Sequence, residues 1–241
     1  YRYLPKLFGI GYRFEENHAP RFITQNAARG ADALHDYIRS NGYDTVICVH
    51  VFGGLMMAAA RAKYRDTPPY YFVATDYTCS PGAAECQADA FFIPHPALAS
   101  EFERRGVPVD RLIASGIPVK AAFCTPQSRT AARAALQIPA DKKVVLVSFG
   151  SMGCGPMRKV AEQLSAAMKP DVYLVLICGN NRKLYQQLVP LRSPNVRVRG
   201  FTKRMMLYMD AADLFITKAG GLSTTEAIAK RLPLLYVDAV D

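Results

Sequence analysis

Apolar residues in the second half of the chain alternate between two rhythms. Residues 144–149 form a short unbroken apolar run, the mark of a strand buried on both faces of a parallel sheet. A loop, Gly150-Ser151-Met152-Gly153-Cys154-Gly155, follows. Then Met157, Val160, Ala161, Leu164, Ala167 and Met168 recur at helical spacing, with Pro156 expected at the first helical position. The alternation continues with a strand at 172–178, a turn at Gly179-Asn180-Asn181, a helix over 182–189 and a strand at 196–198. Thr202 can cap a helix running through Met209, and strands at 214–217 and 234–237 flank a helix over 223–231. Strands and helices joined by short glycine turns predict an α/β unit, a parallel sheet with helices on both faces.

The first half is less regular but similar in kind. Helices are expected over 29–40, 55–65 and 96–105, the last ended by Gly106, with strands at 45–51, 70–74 and 112–115. Gly116-Ile117-Pro118-Val119 and Pro126 mark a boundary near 118–127, followed by a helix over 128–136. The chain therefore divides into domains at 1–122 and 123–241, each of ordinary size. Residues 1–14 mix aromatic and aliphatic side chains with Arg2, Lys6 and Arg13, a composition that suits a membrane interface and equally a helix packed on a core.

Composition narrows the class. Half the residues are hydrophobic and 21% charged, a globular balance that excludes disorder. No apolar run reaches the roughly 18 residues a spanning helix needs, so membrane contact is expected to be peripheral. The formal charge of +10 is uneven: residues 1–125 hold 13 Lys and Arg against 12 Asp and Glu, whereas 126–241 hold 17 against 8. Arg182, Lys183, Arg192, Arg197, Arg199, Lys203 and Arg204 contribute, a field that favours anionic partners such as nucleotide phosphates or acidic lipids. Aromatic residues do not interleave with these cations, which argues against nucleic acid. The six cysteines form no CxxC pair and the four histidines do not cluster, so no metal is expected and a reducing, cytoplasmic setting suits the chain.

Two segments carry chemistry. The loop at 148–156 sets three glycines between a strand and a helix, where backbone N–H groups and the helix dipole suit a phosphate. It is neither G-x-G-x-x-G nor a Walker A sequence, and a plain tight turn is the other reading. The second segment runs Ile216-Thr217-Lys218-Ala219-Gly220-Gly221-Leu222-Ser223-Thr224-Thr225-Glu226-Ala227. Its glycines and hydroxyls can meet a diphosphate, and Glu226 can accept from two ribose hydroxyls. Ser223 and Glu226 also have capping-box spacing, which would stabilise a helix with no ligand at all.

Taken with their neighbours, these segments resemble the monogalactosyldiacylglycerol synthase and processive diacylglycerol glucosyltransferase family. The resemblance runs in order through residues 44–50, Thr75-Asp76, Ser115-Gly116-Ile117-Pro118-Val119, residues 150–155, Ile177-Cys178-Gly179-Asn180, Val198-Arg199-Gly200-Phe201 and residues 217–227. It implies a GT-B fold, two Rossmann-like domains facing a cleft, the N-terminal one incomplete. It further implies an inverting transfer of a hexose from a UDP-sugar to a diacylglycerol-type lipid, on the cytoplasmic, inner face of an anionic membrane. By the same resemblance Glu226 would bind ribose, and the backbone at Gly200 and Phe201 would meet uracil. Gly150, Ser151, Gly153, Gly179, Asn180, Lys218, Gly220, Gly221 and Thr224 would surround the diphosphate and sugar. No DxD motif occurs, consistent with leaving-group stabilisation by dipoles and cations and with no cofactor.

The family's N-terminal glycine–histidine loop, bearing the presumed general base, and its proline–glycine segment expected after Asp241 have no counterpart, so a chain cut at both ends is expected. His50 and Asp76, at predicted strand ends, are the remaining candidates for proton transfer, with structural hydrogen bonding as the other reading. Rival functions are transfer to a polyprenyl-diphosphate sugar, a UDP-sugar epimerase and a non-catalytic membrane-binding module.

Overall fold

A computed structural model of the chain describes residues 29–125, 127–153 and 155–237. The interface-like segment 1–14 lies outside them. The chain divides between Pro118 and Val119 into two compact units.

The first unit runs α1 (Ala31–Ser40), β1 (Val46–Cys48), α2 (Val51–Lys63), β2 (Tyr70–Val73), β3 (Ala90–Ile93), α3 (Ala99–Arg104) and β4 (Leu112–Ala114), with short 3-10 turns between. Its strands form one parallel sheet in sequential order, with Cys48, Phe72, Phe91 and Leu112 aligned across it. Leu55 and Met57 of α2 and Phe102 of α3 bury themselves against that row. Polar ties hold α1 near the end of α2: Lys63 donates to Asp32, and buried His35 bonds Asp66 while stacking on Tyr64.

Two differences from the sequence reading have physical causes. α2 starts at Val51, four residues earlier than expected, because His50 caps it: Nδ1 accepts the Phe52 N–H at 3.3 Å. Gly53-Gly54 precede the expected helix at 55–65, yet they lie within α2, where Gly54 faces Cys86 so closely that a Cβ would lie 2.4 Å from its Sγ. The sequence reading also passed over β3, whose four residues sit between Asp89 and Pro94 and gain strand geometry from pairing on both sides.

The second unit runs α4 (Ala121–Cys124), α5 (Arg129–Leu136), β5 (Lys143–Ser148), α6 (Met157–Ala167), β6 (Val172–Ile177), α7 (Arg182–Leu188), β7 (Val196–Arg199), α8 (Met205–Ala211), β8 (Leu214–Thr217), α9 (Gly221–Ala229) and β9 (Leu234–Tyr236). The parallel sheet has the order β7-β6-β5-β8-β9. Alternate residues of each strand face opposite layers. Leu146, Val175 and Phe215 pack with α5, α8 and α9, while Val147, Leu176 and Ile216 pack with α6 and α7. The expected doubly covered sheet is present. Pro156 lies one residue before α6, and Thr202 accepts the Arg204 N–H in a turn ahead of α8 without capping it.

Arg133 ties the layers together. Its side chain, 9% exposed, donates to Ala211 O and Ala140 O and pairs with Asp213, which also accepts the Val144 N–H. Among the described residues no helix is long and apolar enough to cross a membrane.

The end of α9 closes with Leu232 N–H to Ala227 O and Arg231 N–H to Ile228 O, which requires a left-handed residue between. Arg231 takes that place at φ 53°. Left-handed backbone costs a non-glycine residue roughly 1–2 kcal/mol, partly offset by the unfolded-state entropy a glycine adds. Arg231→Gly should therefore raise stability by about 0.5–1 kcal/mol in urea denaturation, and a loss would mean that the arginine side chain makes a compensating contact.

Candidate functional site

β5 is the point where the strand order of the second, all-parallel sheet reverses. The chain leaves β5 through α6 toward β6 and β7 on one side, then returns to β8 and β9 on the other. Loops leaving adjacent strands in opposite directions open a crevice outside their carboxyl ends, where ligands of such sheets bind. A cavity of about 320 Å³ lies there. Ser148, Gly150 and Ser151 supply one wall, and Ile177 and Gly179 the floor beyond β6. Phe201, Thr202, Lys203, Met205 and Met206 follow β7, Ser223 and Glu226 come from α9, and Lys120 and Phe123 from α4.

Of the residues selected from sequence, Gly150, Ser151, Gly179, Phe201 and Glu226 line this cavity. Gly153 and Asn180 act one step behind it, by locking the two strand-end loops together. The Asn180 N–H donates to Ser151 O at 2.7 Å, and Asn181 Nδ2 donates to Gly153 O at 2.9 Å while its Oδ1 caps α7. Gly153 and Gly179 both have left-handed backbone, and a Cβ on either would lie 2.3 Å from a carbonyl of the facing loop. Here the glycines serve contact between loops. Gly200 precedes Phe201 and is half-buried.

The last motif is arranged in a way that spacing left open. α9 begins at Gly221 after Gly220, with no side-chain cap, so Ser223 already lies inside the helix and the capping box does not form. Ser223 and Glu226 face the cavity instead. Thr224 is buried and accepts from the Tyr236 hydroxyl at 3.0 Å, tying α9 to β9. Gly221 is buried at the helix start, and Lys218 and Gly220 sit on the turn before it, outside the cavity lining. Glu226 makes no side-chain hydrogen bond among the described residues; burial pushes its carboxyl above the ordinary glutamate value, and the charge of Lys120 offsets part of that rise.

Charge sorts into structural and open groups. Arg197 donates to Leu136 O and Gln137 O, and Arg204 to Ala135 O, so both satisfy the carbonyls that end α5. Arg192 donates to the Tyr185 hydroxyl and Val198 O. Arg182, Lys183 and Arg199 are exposed and outside the cavity lining. Lys203 lines the cavity, as does Lys120. Lys120 and Phe123 come from a stretch that reads as a linker, and Met205 and Met206 fall in the helix expected through Met209, so none of the four is marked as a site residue by pattern.

His50 and Asp76 belong to the first unit, beyond the ends of β1 and β2. The cap bond uses His50 Nδ1 as an acceptor, which places the proton of the neutral ring on Nε2. In that tautomer Nε2–H is the ring's donor. His95 repeats the arrangement beyond β3, with Nδ1 accepting from the Ala97 N–H. The described residues contain no group of three His, Cys, Asp or Glu able to hold a metal. Burial raises the Cys48 and Cys178 thiols to about 11 and those of Cys79 and Cys86 to about 12, which makes them inert.

Residues 1–119 match the Monogalactosyldiacylglycerol (MGDG) synthase family, and residues 144–239 match the Glycosyltransferase family 28 C-terminal domain. The processive diacylglycerol beta-glucosyltransferase of Staphylococcus saprophyticus is 30% identical over 187 residues, 76% of this chain and 47% of that protein. The probable monogalactosyldiacylglycerol synthase 2, chloroplastic, of Oryza sativa subsp. japonica is 30% identical over 181 residues, 71% of this chain and 39% of its own length. The chain thus spans about half the length, or less, of these curated relatives. The crystal structure of Anabaena Alr3699/HepE in complex with UDP and glucose superposes with a TM-score of 0.56 at 18% identity, covering 86% of this chain and 61% of that one. The fold is GT-B, built from two Rossmann-like α/β units.

The interlocked loops make a direct test. Gly179→Ala combines a left-handed backbone with a steric overlap on Ser151 O, and should lower stability by about 2–4 kcal/mol in chemical denaturation. Parent-like stability would mean that the two loops separate at little cost.

Proposed function

The chain belongs to the monogalactosyldiacylglycerol synthase and processive diacylglycerol glucosyltransferase family, and on that footing we propose that the whole protein transfers a hexose from a UDP-sugar to a diacylglycerol-type lipid with inversion. The observation that carries the reading is Glu226: a half-buried carboxylate without a protein hydrogen bond among the described residues, facing a cavity that also holds Lys120 and Lys203. Leaving such a group unpaired costs free energy unless a ligand completes it.

In this reading Glu226 accepts from the two ribose hydroxyls. The backbone at Gly200 and Phe201 meets the uracil. The diphosphate lies toward Gly150, Ser151 and the start of α9, where Gly220 and Gly221 present N–H groups and the helix dipole favours negative charge. Lys120 and Lys203 add mobile cations, while Gly153, Gly179 and Asn180 keep the two loops in register. Lys218 and Thr224 shape the turn that delivers α9. Charge that grows on the departing diphosphate in the transition state meets donors already oriented, which is where catalysis gains most. The lipid hydroxyl attacks the anomeric carbon from the face opposite UDP, and positioning the two substrates replaces a slow bimolecular encounter. A general base takes the hydroxyl proton as the new bond forms, His50 and Asp76 being the candidates within this chain.

The names of the relatives support diacylglycerol as acceptor, and the UDP and glucose bound to the Anabaena protein support a UDP-sugar donor. We place the protein peripherally on the inner face of an anionic membrane, in keeping with the surplus of cations after residue 125.

Calorimetric titration of the full-length protein with UDP tests the reading. Glu226→Ala should weaken binding by roughly 1.5–3 kcal/mol, the range for charged hydrogen bonds. The pH dependence has a definite sign. Only the ionised carboxylate accepts from both hydroxyls, so affinity should fall on acidification, beginning at a higher pH than for an ordinary glutamate because burial raises this one. Folding responds in the opposite sense, since a raised carboxyl takes up its proton more readily in the folded state and gains stability as pH falls. Glu226→Gln should therefore remove the carboxylate's share of that pH dependence, leaving only the share from the terminal phosphate of UDP, without a stability loss at neutral pH. Parent-like affinity in both variants would reject the ribose role.

A further inference from the structure

The three walls of the cavity that sequence does not connect meet at one buried ammonium. Lys230, at the C-terminal end of α9, has a side chain 1% exposed, and its partner Asp210 on α8 is 4% exposed. Nζ donates to Asp210 Oδ2 and to Thr125 O, each at 2.9 Å. Thr125 ends α4, the helix whose N-cap is Lys120 and whose Phe123 lines the cavity. Asp210 lies on α8, whose first two residues, Met205 and Met206, also line it. Lys230 itself stands four residues after Glu226, and its backbone N–H closes on Glu226 O at 3.1 Å. Residues so spaced lie on one side of a helix, so the ammonium and the cavity carboxylate project from successive turns of the same side.

A buried ion pair is an inefficient way to gain stability. Desolvating both ions offsets most of their attraction, and apolar residues of similar volume often serve as well. What apolar side chains do not supply is direction. A charge with two fixed acceptors sets the distance and rotation of the elements that carry them.

We propose that Lys230 is a positioning residue for the nucleotide site: by bonding α8 through Asp210 and the end of α4 through Thr125, it sets Glu226 at the separation from Lys120 that a ribose diphosphate requires. This inference rests on the reading of the cavity given above. Neither Lys230 nor Asp210 touches the ligand in this scheme, so their effect is on geometry alone.

The test measures thermal melting and UDP affinity of the full-length protein and its variants side by side. Lys230→Met alone strands the Asp210 carboxylate and should destabilise the fold. The double variant Lys230→Met/Asp210→Leu removes both charges and should melt within about 4 °C of the parent. It should nonetheless bind UDP about tenfold more weakly, since small misplacements of a binding group carry large penalties. The pH at which its affinity falls should also move, because Glu226 would sit at a different distance from Lys120. Lys230→Arg, which keeps the charge and both donors, should recover part of the affinity. Asp210→Asn provides a second route should the double variant fail to fold, because it retains an acceptor at nearly the same volume and should lower affinity by about threefold. A stable double variant, or a folded Asp210→Asn, with parental affinity and pH profile would reduce the pair to a structural contact and overturn the proposal. A parent that binds no UDP would overturn the reading of the cavity itself and the positioning role with it.

Discussion

The reversal of strand order at β5 is the constraint on which the rest of the second unit depends. Parallel strands must be joined by crossovers, and a right-handed crossover assigns each helix to a face according to the direction in which the chain moves along the sheet. The moves from β5 to β6 and β7 put α6 and α7 on one face. The moves to β8 and β9 put α8 and α9 on the other. Strand-end loops on either side of β5 therefore diverge, and a crevice opens that no local sequence feature needs to encode. All five strands contribute to burying the two apolar layers, so the crevice is held by the whole core. Its rim is then finished by contacts of a different kind: the carbonyl-to-glycine interlock of the β5 and β6 loops, and the tie from Thr224 to Tyr236 at the start of α9.

Charge in this unit is divided between two duties. Arg133, Arg192, Arg197 and Arg204 end on backbone carbonyls, a carboxylate or a tyrosine, where the planar, multiply donating guanidinium can satisfy helix ends and bridge layers. The cations on the cavity are lysines, Lys120 and Lys203. A lysine ammonium on a flexible stem is a mobile point charge, suited to a diphosphate that arrives and leaves. The excess of positive charge after residue 125 thus overstates the field available to a ligand, because much of it is already neutralised or committed to architecture.

Legibility in the sequence followed the physics of each feature. The strands of the second sheet announced themselves because burial on both faces demands unbroken apolar runs such as 144–149 and 172–178. β3 did not, since a four-residue strand beside a proline depends on its neighbours for its conformation. α2 began early because a histidine replaced the usual capping residues, and Gly53-Gly54, ahead of the expected helix, lie within it, where Gly54 serves close packing. At the candidate site, Gly150, Ser151, Gly179, Phe201 and Glu226 were legible as strand-end or helix-start residues in a motif. Lys120, Phe123 and the Met205-Met206 pair were not, because their place on the cavity is set by how α4 and α8 dock. The ambiguity at Glu226 was real in one dimension: spacing allowed a capping box, and only the helix start at Gly221 removes it. The pairing of Lys230 with Asp210 and Thr125 spans distances along the chain that periodicity cannot bridge.

The contact most open to direct test is the proposed hold of the Glu226 carboxylate on a ribose at the mouth of the β5 crevice. A crystal structure of the full-length protein grown with UDP examines it without recourse to mutation or turnover. The account predicts both ribose hydroxyls within about 3 Å of the Glu226 carboxylate oxygens, with the diphosphate beside Gly150 and the start of α9. Nucleotide density elsewhere on the molecule, with Glu226 still facing solvent, would contradict it.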